Sequence, residues 1–165
     1  MKIVIADSST LILLLDTNNF SLLFKLFKEI ILTDAVYTEI TCNVAHKKLI
    51  DSYILNGYIK IVEIDKDSRI EMLLKRLDIG ESKSIALAKK LNLPLIIDEK
   101  KGRAVAKSLN IKIIGFIGII LKLIEKNIIN KEKAIDIIKQ AETNNFRLSE
   151  ELKNLVYNFK RKEDE

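Results

Sequence analysis

Five short runs of β-branched and other apolar residues, each bounded by polar positions, constrain the fold of this chain more than any other feature. They are Ile3-Val4-Ile5, Ile30-Ile31-Leu32, Ile59 to Ile64, Leu95-Ile96-Ile97 and Ile111 to Ile114. Each has the residue types of a strand. Between them apolar residues recur at helical spacing: Leu22, Leu23, Leu26 and Phe27, then Ile85, Leu87, Ala88 and Leu91, then Ile120, Leu121, Ile124 and Ile128. Strands that are apolar on both faces and alternate with amphipathic helices imply a parallel sheet covered on both sides. The expected class is α/β, a three-layer α/β/α sandwich around a five-stranded parallel sheet with right-handed crossovers. In such sheets the functional crevice lies beyond the carboxyl ends of the strands, where strand order reverses.

A length of 165 residues suits one domain, large enough to bury its own core without disulfides or a structural metal. With five glycines, one proline and no repeat, short loops are expected. The helical pattern divides the chain into a body at 1–142 and a C-terminal helical tail at 143–165, packed on that body or extending it. Cys42 has no partner for an intramolecular disulfide and fits a reducing compartment. His46 is the single histidine, which excludes a multi-histidine zinc site, and its polar surroundings read as surface.

Asp7 and the hydroxyls after it interrupt the apolar start of the chain, so no signal peptide is read there. Ile113 to Leu121 falls far short of the roughly 20 residues that span a bilayer. A cytoplasmic protein without membrane partners is expected. A net charge of +5 permits a polyanionic partner without requiring one.

Four acids deserve their own accounting. Asp7 follows Ile3-Val4-Ile5-Ala6 and Asp98 follows Leu95-Ile96-Ile97, which places both at strand ends facing the expected crevice. Either one also suits a helix N-cap, a role worth about 1 kcal/mol; Ser8, Ser9 and Thr10 offer alternative caps at the first site. Glu39 lies about one turn into a helix opening at Thr33 or Asp34. Glu81 lies in the first turn of another, where the helix dipole favours an acid.

Clustered carboxylates are costly, because two unit charges 4 Å apart repel by about 4 kcal/mol at an effective dielectric near 20. They must protonate or meet a cation. An all-oxygen ligand set favours Mg²⁺ or Mn²⁺, and such a site suits phosphodiester hydrolysis.

Several segments, taken in order, resemble the PIN-domain nucleases and within them the VapC-like toxin branch. They are Ile5-Ala6-Asp7-Ser8-Ser9-Thr10-Leu11-Ile12, Ala35-Val36-Tyr37-Thr38-Glu39-Ile40, Gly80-Glu81 through Ile85-Ala86-Leu87-Ala88, and Leu95-Ile96-Ile97-Asp98-Glu99-Lys100-Lys101-Gly102-Arg103. Ile114-Gly115-Phe116-Ile117-Gly118-Ile119-Ile120-Leu121 and Phe146-Arg147-Leu148-Ser149-Glu150 extend the likeness over nearly the whole chain. The resemblance implies a PIN-like fold and a metal-dependent endoribonuclease. In it Asp7, Glu39, Glu81 and Asp98 are the catalytic, metal-binding acids, and Ser9 is the hydroxyl beside the first acid or its water. It also implies an RNA substrate and, for a toxin, a cognate antitoxin. Glu81 stands where many family members carry aspartate.

Lys101 and Arg103 follow Asp98 and fit phosphate contacts at the crevice rim, or equally a solvated helix face with Lys100 and Lys107. With no tryptophan and four scattered tyrosines, no base-stacking platform is visible. Two other readings compete. One is a PIN-like module that binds RNA or regulates a partner after losing catalysis. The other is a phospho-acceptor receiver domain, with Asp65 in Ile64-Asp65-Lys66 as the acceptor at the third strand end. Finally, Ile117, Ile120, Leu121, Ile124 and Ile128 form a stripe that is either core or a homodimer face.

Overall fold

In the computed structural model, which describes residues 2–160, every strand follows one of the apolar runs. The strands are β1 (Lys2–Ala6), β2 (Phe27–Thr33), β3 (Ile59–Val62), β4 (Leu95–Ile96) and β5 (Ile113–Ile114). The helices are α1 (Ser8–Asp16), α2 (Asp34–Ile40), α3 (Val44–Leu55), α4 (Ser68–Leu73), α5 (Ile79–Leu91), α6 (Lys100–Ser108), α7 (Phe116–Glu125), α8 (Lys131–Thr143) and α9 (Glu150–Tyr157).

All five strands are parallel, in the order β3-β2-β1-β4-β5. Ile5 in the central strand pairs with Ile31 on one side and Leu95 on the other. The pleat sends alternate side chains to opposite faces. Val4, Ala6, Ile30, Leu32 and Ile96 join a cluster with α1, α7 and α8, whereas Ile5, Ile31, Leu95 and Ile97 join a second cluster with α4, α5 and α6. These two clusters make the three layers, and each fully buried Leu, Ile or Phe stabilises them by about 1.5–3 kcal/mol.

The order reverses between β1 and β4: the chain lays down β2 and β3 on one side of β1, then returns to place β4 and β5 on the other. That order also disposes of the receiver-domain reading, which needs the arrangement 2-1-3-4-5. Asp65 lies past the end of β3, and its carboxylate is paired with Lys83 at 2.6 Å.

Several expectations change. Leu22, Leu23, Leu26 and Phe27 are not one helical stripe: Phe20–Lys25 is a 3-10 turn and Phe27 already begins β2. A 3-10 turn and the strand after it bury Leu23, Leu26 and Phe27 together, which imitates helical spacing. The strand runs at 59–64 and 111–114 contract to four and two residues. Ile117, Ile120 and Ile124 are buried in the first cluster, so that stripe is core rather than a dimer face, and Ile128 lies beyond the end of α7. His46 is half-buried, its ring 2.8 Å from Asp16 at the end of α1.

Beyond residue 143 the chain packs on the body. Phe146 meets Phe116 edge to face at 5.4 Å, and Val156 is fully buried in the first cluster. Residues 161–165 of the expected tail lie outside the described residues. Among the described residues no helix is long and apolar enough to cross a membrane.

Candidate active site

Helix starts locate the site. Side chains cap α2, α3, α4, α5, α8 and α9: Thr33, Asn43, Asp67, Asp78, Asn130 and Ser149 each accept a first-turn N–H. The exceptions are α1, α6 and α7, whose N-cap residues are Asp7, Glu99 and Gly115 and make no side-chain cap bond. These helices follow β1, β4 and β5, so three helix starts without a local side-chain cap lie at the carboxyl edge, around the place where strand order reverses. Unsatisfied N–H groups at a helix start form a ready anion site.

Asp7 stands at the N-cap position of α1, yet its carboxylate is not spent on capping. It is 3% exposed. Burial is the main reason its pKa is pushed up from 3.8 to about 7; the Ser8 N–H opposes this, while the charges of Glu81, Asp78 and Glu39 raise it further. The charges of three carboxylates therefore bear on a fourth that is cut off from water.

Glu81 is held by a reciprocal capping box. Asp78 accepts from the Glu81 N–H at 2.8 Å, and Glu81 Oε2 accepts from the Asp78 N–H at 3.3 Å. That leaves Glu81 Oε1 buried with no hydrogen-bond partner. Burial first, then the charges of Asp78, Glu99 and Glu39, raise its pKa above the usual range, against the Asp78 N–H. Gly102 makes room for this oxygen, since a Cβ there would come within 2.7 Å of Oε1. Glu39 is exposed on α2 and leans toward the first turn of α5; a Cβ on Gly80 would meet both Glu39 Oε2 and Asp78 Oδ1 at 3.4 Å. Lys83, nearly buried in α5, fixes these helices by pairing with Asp34 at the start of α2, at 2.5 Å, and with Asp65.

Asp98 sits at the neighbouring strand end but is differently engaged. It accepts a short bond from the Thr10 hydroxyl and the Phe116 N–H at 2.9 and 3.1 Å, so it serves as a distant cap for α7. Burial raises its pKa while those two donors and Arg103 lower it. Arg103, expected at the rim either as a phosphate contact or on a solvated helix face, donates to the Ile97 carbonyl at 3.3 Å and lies beside Asp98. Gly115 permits this approach, because a Cβ there would stand 2.5 Å from both Arg103 Nη1 and Asp98 Oδ1. Lys101 is exposed on α6, and the Ser9 hydroxyl is buried without a partner.

The structure thus draws Asp7, Glu39 and Glu81 into mutual electrostatic reach and adds Glu99 and, left out of the acid set by the sequence reading, Asp78. Asp78-x-x-Glu81 is a capping-box spacing visible in the sequence. No three of these side chains stand at metal-ligand spacing among the described residues. The donor set nonetheless fits a hard divalent cation: all ligands are oxygens, one buried oxygen is orphaned, and one carboxylate is held from ionising chiefly by its burial and further by its neighbours' charges.

A family model described as a PIN domain (DUF3368) matches residues 3–160. No curated protein matches the chain. Among solved structures, the chain is similar to a PilT N-terminus domain protein from the hyperthermophilic archaeon Sulfolobus solfataricus P2. The two are 16% identical, with a TM-score of 0.45, over 71% of this chain and 89% of that one.

Proposed function

The chain belongs to the PIN-domain family, whose members are generally metal-dependent nucleases, and from that premise we propose that it is a Mg²⁺- or Mn²⁺-dependent endoribonuclease. The observation that carries the proposal is the unpaired oxygen of Glu81 beside the buried, reluctantly ionised Asp7. A buried carboxylate oxygen left without a protein donor makes sense as a ligand for a cation. We assign Asp7, Glu81 and Glu39 to hold the cation, with Asp98 as the fourth acid at the adjoining strand end. When bound, the cation supplies a water of lowered pKa and stabilises charge on phosphoryl oxygens.

The other residues bind and orient. The first turns of α1 and α6, which carry no side-chain cap, suit a phosphate. Ser9 supplies a hydroxyl beside Asp7, and Lys101 a mobile positive charge at the rim. Arg103 we reassign from phosphate contact to positioning, since it steadies Asp98. Asp98 in turn locks α7 and Thr10 against the crevice. The toxin role within a toxin–antitoxin pair follows from the sequence resemblance, and a co-purifying antitoxin is the partner it calls for.

The test is cleavage of end-labelled RNA by the purified chain with Mg²⁺ or Mn²⁺. Asp7→Asn is expected to fold normally and to lose at least about 100-fold in rate. Full wild-type cleavage in excess EDTA would overturn the metal mechanism. RNA binding without any cleavage would favour the lapsed, regulatory module.

A further inference from the structure

A pocket of about 710 Å³ opens at the other end of the sheet from the acids. It lies at the amino-terminal edge, where Lys2 begins β1, Phe27 begins β2, and Pro94 and Lys112 immediately precede β4 and β5. Five lysines line it: Lys2, Lys89, Lys112, Lys122 and Lys126. No acidic side chain lines it, and none of the five is in an ion pair among the described residues. Lysines near helix carboxyl ends are favoured by the dipole, which accounts for Lys89, Lys122 and Lys126 at the ends of α5 and α7. Lys89 also donates to the Leu109 carbonyl at 3.0 Å. The dipole does not account for Lys2 and Lys112, which stand on strand starts. Ammonium groups gathered round one opening repel each other unless an anion joins them.

The remainder of the lining narrows the ligand. Phe27, Leu93, Pro94 and Ile113 give an apolar floor, and Asn92 and Asn110 line the same pocket. Both asparagines are held at positive φ, 52° and 58°, as the turns that end α5 and α6. An amide offers a donor and an acceptor together, which suits the edge of a heterocycle. The volume falls in the range of small-molecule sites, roughly 300–1,000 Å³. Inorganic phosphate would leave the apolar floor empty, and an apolar metabolite would leave the lysines unpaired. We propose that this pocket is a second site, independent of the acidic crevice, that binds a free nucleoside phosphate, with the base on the apolar floor and the phosphates among the lysines.

The experiment is a calorimetric titration of the full chain with ADP, in EDTA so that the acidic crevice holds no metal. One ADP per chain is expected, with adenosine and inorganic phosphate each binding at least about tenfold more weakly. The double variant Lys112→Gln/Lys126→Gln should weaken ADP by at least about tenfold while leaving RNA cleavage unchanged. Asp7→Asn should leave ADP binding as it is. In the wild type, ADP should slow amide exchange over residues 92–94 and 110–114, a check that needs no substitution. Failure to bind ADP, loss of ADP binding in Asp7→Asn, or unchanged binding in the lysine variant would overturn the proposal. So would a single-stranded RNA oligomer that shows the same lysine dependence where ADP shows none.

Discussion

Asp7 couples the site to the stability of the whole protein. Its pKa rises to about 7 in the folded chain, chiefly through burial, against 3.8 for the group in water. Between those values the folded form holds a proton that the unfolded form has lost, so this group's contribution to stability is greatest below pH 3.8 and is lost as pH rises through 7. Each pH unit in that window is worth about 1.4 kcal/mol, so this group withdraws up to about 4 kcal/mol from the metal-free protein. Urea unfolding of the metal-free chain at pH 5 and pH 8 should show the lower midpoint at pH 8. Asp7→Asn should shrink the difference, and Mg²⁺ or Mn²⁺ should restore the wild type at pH 8. A wild type equally stable at both pH values, with no response to metal, would refute this account. The sequence placed Asp7 and Asp98 correctly at strand ends because strand termini are local features. It did not reveal that Asp98 spends its carboxylate on Thr10 and α7, since both partners come from distant segments. The surroundings of Arg103 were hidden for the same reason: its spacing from Asp98 was visible, but its contact with the Ile97 carbonyl beside Asp98 was not.

Elements were legible where pattern and capping agree. The Asp78 and Glu81 spacing starts α5, and Thr33 caps α2 through the Val36 N–H at 3.3 Å. The 3-10 turn at Phe20–Lys25 was not legible, because its buried Phe20 and Leu23 merge with Leu26 and Phe27 into one apolar series. Helix ends follow a rule of their own: Asn18, Asn92, Asn110, Asn127 and Asn145 all take positive φ, and Gly57 is the glycine that does so among the described residues. Asparagine is the non-glycine residue that tolerates this conformation best, which explains how a chain with five glycines turns so often. Asn127, exposed after α7 with φ 57°, tests the idea. Asn127→Gly should leave the melting temperature equal or slightly higher. Asn127→Val should cost about 1–2 kcal/mol, because a β-branched side chain is strained there. Equal melting of the two variants would show that backbone strain is not what selects asparagine.

At the scale of the whole molecule, the C-terminal segment is tied to the acidic crevice through a short chain of contacts. Val156 on α9 is fully buried, Lys153 bonds Glu142 of α8 at 3.0 Å, and Phe146 packs on Phe116. Phe116 is the residue whose N–H Asp98 holds, so the segment beyond 143 braces the start of α7 from behind. The hydrophobic pattern alone could not decide between a packed segment and an extension. Phe116 and Val156 lie far apart in sequence, and α9 is polar at half of its positions. If bracing is the right description, this segment and the body unfold as one cooperative unit. Val156→Asp should then lower the urea midpoint of the entire transition, costing about 3 kcal/mol or more through lost packing and a buried charge. Far-UV and tyrosine signals should still move together. A variant that keeps the wild-type midpoint and loses only the helicity of α9 would show an appendage, and the site would have to be explained without it.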